Sequence, residues 1–284
     1  MKTQRLVDEF MDHCRYRDLS PATLTGYRWA LGKLQGTHEK LPRKPDVLMR
    51  LITFEDLASE SKHDLWRAYR RFYRWASTHH AVPNAMEHVP PPRVRRRLPR
   101  TLEASEIDLL VARTDGRREK AMVSVLLDTG IRVGELAGLR WEHVKAGAIQ
   151  VDGKTGQRTV PMSAHVRQLL VGLGDPVHLW TGRVGPLTRS GVEQVVRRAL
   201  RRGGYRPPKA GPHMLRHTFG RHYIMAGGDV FSLQRIMGHQ NVKTTMLYVH
   251  LNDSDLQVQH AKYSPLRSLD LEPAAAQERK EMAL

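Results

Sequence analysis

The sequence predicts a mainly helical protein of two domains, the second an α+β domain holding one small β-hairpin. Three observations predict it. Helical stripes fill roughly the first ninety residues, a proline- and arginine-rich stretch then breaks the composition, and a single pair of β-prone runs stands among helical segments further on. A length of 284 residues suits two domains of roughly 100 to 200 residues each.

Leu6, Val7, Phe10, Met11 and Cys14 recur on one helical stripe. Ser20 as N-cap and Pro21 at the first helical position open a second helix carrying Leu24, Tyr27, Leu31 and Leu34. Ser61 and Asp64 resemble a capping box ahead of a third, long helix with Leu65, Trp66, Tyr69, Phe72, Tyr73 and Ala76 on one face. Aromatic residues at that spacing belong in a core. Arg67, Arg70, Arg71 and Arg74 lie among them, either as a solvated face or as a grip on phosphates. These helices define a first domain over residues 1–88. Residues 89–100, VPPPRVRRRLPR, hold four prolines and five arginines. Proline denies the stretch a helix and makes it a stiff linker. Arg93, Arg95, Arg96 and Arg97 repel one another there unless an anion, such as a DNA backbone, neutralises them.

The second domain is expected over residues 101–264. Helical patterns cover 107–112 and 120–128, and TGIRVGELAGLRW reads as a glycine-hinged turn followed by a short helix. Two β-prone runs, 148–151 and 159–162, flank the turn-rich DGKTGQ, giving a hairpin with Lys154 near its tip. Helices resume near Ser163. The run LTRSGVEQVVRRALRRGGY places Arg197, Arg198, Arg201 and Arg202 at i and i+4 spacings before a Gly-Gly stop. Pro212 opens a further helix, and Gly238 closes a later one. Residues 265–284 form a tail whose Leu266, Leu269 and Leu271 are expected to dock on a neighbouring subunit.

Charge narrows the function. Lys and Arg number 46 against 29 Asp and Glu, a net charge of +17, and a chain this basic meets a polyanion, most often nucleic acid. Cys14 is the sole cysteine, so no intramolecular disulfide forms; it reads as a small core residue in a protein of a reducing compartment. No apolar run approaches the roughly 18 residues of a membrane span, and Asp8, Glu9 and Asp12 argue against a secretory or transit leader. A cytoplasmic, nucleoid-associated protein is expected.

The stretch GPHMLRHTFGRH gathers three histidines and two arginines behind a Gly-Pro break. His213 and Arg216, three apart near a helix N-terminus, project from one face toward one ligand position. Backbone N–H groups at that helix start and a guanidinium fork both suit a phosphate. His217, one turn on, either joins the site or makes a structural hydrogen bond, and His222, near the opposite face, reads as packing. HMLRH has the histidine spacing of a zinc-protease helix, but Met214 stands where the glutamate base belongs and Arg216 repels a cation, so a metal ranks low.

Downstream, MGHQ presents His239 and TTMLYVH presents Tyr248. Together with Arg132 in TGIRVGEL, Lys154 in DGKTGQR, and His213 and Arg216 in HMLR, these residues resemble, in order, the signature of the tyrosine recombinase (phage integrase) family. The resemblance covers roughly residues 101–249 closely and the N-terminal half in pattern only; the two-domain chromosome-dimer resolving members are the nearer match. It implies an N-terminal helical core-binding, SAM-like domain, a catalytic domain, and a site-specific recombinase or integrase that cuts and rejoins DNA. Under it Tyr248 attacks phosphorus to leave a 3′-phosphotyrosyl link, since a protein nucleophile conserves the bond energy that water would waste. His213 is the expected general base, Arg132 and Arg216 clamp the non-bridging oxygens with a hydrogen bond from His239, and Lys154 protonates the departing 5′-oxygen. Glu135, one turn after Arg132, is expected to orient a catalytic arginine or histidine. No metal or nucleotide cofactor is required. The expected partners are duplex DNA, three further copies of the chain on two DNA sites, and an accessory protein that sets direction. Two other readings stay open: a topoisomerase IB-like relaxing enzyme, and a non-enzymatic DNA-binding accessory protein.

Overall fold

In a computed structural model, residues 2–53, 56–94, 99–153, 156–206, 210–249, 260–264 and 266 are described. The chain divides into two compact units, Met1–Arg97 and Leu98–Leu284. No helix among the described residues is long and apolar enough to cross a membrane.

The first unit consists of α1 (Thr3–Tyr16), α2 (Pro21–Thr37), α3 (Pro45–Thr53), α4 (Ser59–His80) and a 3₁₀ turn, Ala85–His88. Helix α2 begins as its sequence dictates: Pro21 sits in the first turn and the Ser20 hydroxyl accepts from the Thr23 amide at 3.3 Å. Helix α4 starts earlier than the expected capping box. Its N-cap is Ala58, so Ser61 and Asp64 lie inside the helix, where Asp64 pairs with Arg67 one turn on at 3.6 Å. The aromatic face of α4 is core: Phe72 meets Phe10 edge-on at 5.4 Å, and the Tyr73 hydroxyl donates to the Pro42 carbonyl at 2.8 Å. Trp66 donates its indole N–H to the Val89 carbonyl at 2.8 Å, and Val89 is buried. The first residue of the expected linker therefore belongs to this core. Cys14 is buried on α1.

The second unit runs α5 (Ala104–Ala112), α6 (Gly116–Thr129), α7 (Val133–Ala137), β1 (Ala148–Gly153), β2 (Gly156–Pro161), α8 (Ala164–Leu170), β3 (Thr181–Gly182), β4 (Gly185–Pro186), α9 (Arg189–Arg202), α10 (Pro212–Met225), α11 (Val230–Met237), α12 (Val242–Thr245) and a 3₁₀ turn, Met246–Tyr248. Helix α6 is the spine. Every residue from Ala121 to Leu126 is buried, and α8, α9 and α10 pack around it. A stretch buried all round and apolar but for Ser124 is what a central helix requires.

Strands β1 and β2 pair antiparallel from Ala148 opposite Pro161 to Gly153 opposite Gly156. Both extend further toward the turn than the β-prone runs predict, and Met162 falls outside the strand; ladder hydrogen bonds and the burial of Ile149, Val151 and Val160 override the weak propensity of the turn residues. The two-residue ladder of β3 and β4 carries no sequence signal of comparable length. Trp180 is buried beside it and donates to the Leu136 carbonyl at 2.6 Å, which fixes the end of α7. Where the chain enters this unit, the Leu102 amide donates to Thr218 Oγ1 at 3.0 Å and His222 Nε2 lies 2.7 Å from the Leu102 carbonyl. His222 thus ties the entering segment to α10.

Candidate active site

Three pieces of the second unit converge: the turn between α6 and α7, the first half of α10, and the end of α11. The turn exists because Gly130 takes a left-handed conformation, φ 60°, in which a side chain would also run into the Phe219 ring. It delivers Arg132 as the N-cap of α7, where Glu135 Oε2 accepts the Arg132 amide at 2.8 Å. The Arg132 guanidinium donates to Glu135 Oε1 at 3.0 Å and to the Gly238 carbonyl at 2.8 Å. Arg216, 5% exposed, donates to the Gly130 carbonyl at 2.5 Å and to the Met237 carbonyl at 2.7 Å. Arg158, reaching in from β2, donates to the Ile236 carbonyl at 2.9 Å and grips both Glu135 oxygens, at 2.8 and 2.9 Å.

Three successive carbonyls at the C-terminal end of α11 thus each hold one guanidinium. A helix end leaves such carbonyls without intrahelical donors and carries the negative pole of the helix, so cations settle there. Gly238 makes the arrangement possible: its φ is 62°, and a Cβ there would sit 2.8 Å from Arg158 Cζ. Gly153 does the same for the carboxylate, since a Cβ would lie 2.5 Å from Glu135 Oε1.

Charge in this cluster is unbalanced, three guanidiniums against the one carboxylate of Glu135. Burial opposes ionisation of Glu135, yet the bonds from Arg158 and the Arg132 amide outweigh it and hold the carboxyl below its ordinary range. Burial and then the Arg132 charge lower Arg216 to about 10, with the Glu135 charge partly offsetting them, so it stays charged near neutrality; among the described residues its guanidinium bonds to carbonyls and to no carboxylate. The cluster is therefore short of an anion. Among the described residues no group of three His, Cys, Asp or Glu side chains is placed to hold a metal ion.

Tyr248 lies in the 3₁₀ turn that follows α12, 8% exposed. Its hydroxyl is 2.8 Å from His217 Nδ1. Gly220, on the same helix face as His217, leaves room for the ring: a Cβ would come within 2.8 Å of Tyr248 Cζ. The His239 ring stacks against Tyr248, centroids 6.4 Å apart at 14°, and its Nδ1 is hydrogen-bonded to Thr245 Oγ1 at 2.9 Å. Burial, then the Arg216 and Arg132 charges, lowers His239 to about 4; burial, then His213 and Arg216, lowers His217 to about 4. Burial raises the Tyr248 phenol, and the Arg216 charge partly offsets that. His213 stays exposed at the start of α10, where partial desolvation and then the Arg216 charge depress its basicity.

The structure thus gathers Arg132, Glu135, Arg216, His239 and Tyr248 in one cluster, with His213 at its edge. Lys154 lies outside the described residues, as do Arg95, Arg96, Arg97, Leu269 and Leu271. His213 was the expected base, but the hydrogen bond to the phenol is made by His217, one helical turn later, because the Gly220 gap seats the Tyr248 ring there. Arg158 is the residue that sequence reasoning misses: in QRTVP it looks like ordinary hairpin charge. Among the other basic residues, Arg67, Arg70, Arg71 and Arg74 line an open groove of about 620 Å³ with Tyr27 and Trp29, and Arg70 stands over the Trp66 ring at 5.0 Å. Arg93, Arg198 and Arg201 are exposed. Arg197 is held by Glu193 at 2.7 Å, and Arg202 by Glu119 and the Arg113 carbonyl, so those two already have protein partners.

The profile of the phage integrase family matches residues 100–255. The tyrosine recombinase XerC of Xylella fastidiosa (strain 9a5c) is 32% identical over 273 residues, spanning 87% of this chain and 92% of that protein. XerC of Azotobacter vinelandii (strain DJ / ATCC BAA-1303) is 31% identical over 295 residues, 91% of this chain and 95% of its own. Among solved structures, the Tn1549 transposon integrase in complex with transposon right end DNA aligns with a TM-score of 0.74 at 19% identity, over 93% of this chain and 99% of that one. The XerA recombinase aligns at 27% identity and a TM-score of 0.51, over the same shares. A buried tyrosine beside carbonyl-anchored arginines, a family profile over more than half of the sequence and relatives matched along most of both chains agree: this chain belongs to the phage integrase family of tyrosine recombinases.

Proposed function

We propose that the protein is a site-specific DNA recombinase that cuts one strand of a duplex with Tyr248, stores the bond as a 3′-phosphotyrosyl ester and rejoins it to another strand. The observation that carries this reading is the buried Tyr248 phenol beside a cluster in which three guanidiniums share the single carboxylate of Glu135. In the forward step the Tyr248 oxygen bonds to phosphorus, the bond from phosphorus to the 5′-oxygen breaks, and the departing oxygen takes a proton, for which Lys154 is the assigned donor. Arg132 and Arg216 hold the non-bridging oxygens, with His213 and His239 adding hydrogen bonds. Their carbonyl anchors fix both guanidiniums before substrate arrives, so little reorganisation accompanies the transition state. Glu135 and Arg158 position that pair. A 5′-hydroxyl from a second strand reverses the step, with no loss of bond energy.

Four copies joining two duplexes are proposed as the working assembly, in the cytoplasm on the nucleoid; a lambda integrase tetramer bound to a Holliday junction, 18% identical, shares the fold. An accessory protein would bias direction. Two domains are proposed, residues 1–88 and 101–264, both contacting duplex DNA through exposed arginines such as Arg70, Arg71, Arg198 and Arg201.

The test is capture on a library of nicked duplexes with a randomised core. Wild-type protein should yield adducts that survive denaturation and converge on one sequence, and Tyr248→Phe should give none while still shifting the recovered duplex. No adduct from the wild type, or adducts without a common sequence, refutes the reading.

A further inference from the structure

We propose that His217 is a further catalytic residue, the group that takes the phenolic proton of Tyr248 as the phosphotyrosyl bond forms, a role that rests on the recombinase reading above. His217 Nδ1 is 2.8 Å from the reacting oxygen, within proton-transfer range, and the rings lie 5.8 Å apart at 50°. The side chain is half-buried on α10 against the Tyr248 ring, whose position the missing side chain of Gly220 sets.

The surroundings keep His217 in the state that can accept. Its neighbours on its own helix are the titratable His213 and the charged Arg216, and the facing groups are His239 from the end of α11 and Tyr248 itself. Burial and this positive field leave the imidazole neutral, and the proposed role assigns it the tautomer with its proton on Nε2, in which the Nδ1 lone pair accepts from the phenol. An empty site therefore holds a weak base. A phosphodiester seated between Arg132 and Arg216 brings a negative charge into the same low-dielectric cluster, offsets the positive field, and raises the proton affinity of His217 only when substrate is present.

The step balances. The Tyr248 O–H bond breaks, its proton goes to His217 Nδ1, the freed electron pair forms the O–P bond, and the 5′-oxygen leaves with a proton from a separate donor. In rejoining the same imidazolium returns its proton to the phenol as tyrosine departs. One side chain thus serves both halves of the reaction.

The experiment uses a nicked duplex of the sequence recovered by the capture above, with full-length His217→Asn and His217→Ala proteins. Asparagine keeps an acceptor oxygen near the place of Nδ1 but cannot hold a proton, so it separates proton transfer from positioning. Both variants should form the adduct about 10²- to 10⁴-fold more slowly while binding the duplex as the wild type does. The wild-type rate should be level from roughly pH 6.5 to 8.5, and the variant rates should climb about tenfold per pH unit as the phenolate supply becomes limiting. Should His217→Ala fail to fold, His217→Asn decides. Variant rates within threefold of wild type, slow rates with a level pH profile, or rates above wild type each overturn the assignment, the last pointing to a resting latch. Failure of the wild type to form any adduct would instead overturn the recombinase reading itself.

Discussion

Gly220 sits inside helix α10, where alanine ordinarily stabilises a helix by up to about 1 kcal/mol. A methyl group there would meet the Tyr248 ring at 2.8 Å. Gly220→Ala should therefore displace the Tyr248 ring, so adduct formation drops at least about tenfold, while the helix gain offsets part of an overpacking cost of about 1 to 3 kcal/mol and keeps the change in melting temperature small, a split visible by calorimetry beside a cleavage assay. Arg216 offers the opposite case, since its two bonds reach carbonyls on separate elements. Arg216→Lys cannot span both, and cleavage should fall by at least about 10². His217 and His239 are held neutral to about pH 4, whereas in the unfolded chain they protonate near 6.5. Their contribution to stability is thus complete above pH 6.5 and is lost as the pH falls from there toward 4. Urea unfolding at pH 7 and pH 5 should differ by up to about 2 kcal/mol for each, and His239→Gln should remove its share.

At the level of elements, what was legible followed from local pattern. The apolar stripes of α1, α2 and α4 and the paired β runs announce themselves because burial acts on each at a fixed period. Helix α3 is two and a half turns long and carries only two buried residues, too little for a stripe to stand out. Most of the residues gathered in the candidate site were readable from short motifs, and Lys154 falls outside the described residues. The role of Arg158 was not readable, because its partners, Glu135 and the Ile236 carbonyl, lie 23 and 78 positions away. Only tertiary structure joins them. Arg158→Met should break a largely buried bidentate pair at a cost of about 3 to 5 kcal/mol, seen in the urea midpoint, and should also slow adduct formation by releasing Glu135 from its place beside Arg132. Arg158→Lys should recover only part of either effect, because an ammonium cannot reproduce the fork.

For the whole molecule the controlling quantity is its charge of +17. If binding neutralises even six backbone phosphates, affinity for any duplex should drop about 10³-fold or more between 50 and 200 mM salt, whereas discrimination between the recovered sequence and random DNA should change far less. Titrating a fluorescent duplex at several salt concentrations measures both. The row of carbonyls ending α11 has a larger meaning on this scale. Nine residues of continuous chain join Gly238 to Tyr248, so the peptide that steadies the cations is also the tether of the proposed nucleophile. Pulling that tether out of register slackens the grip on phosphate as well. Under the proposed mechanism, warhead and clamp would be seated together or not at all.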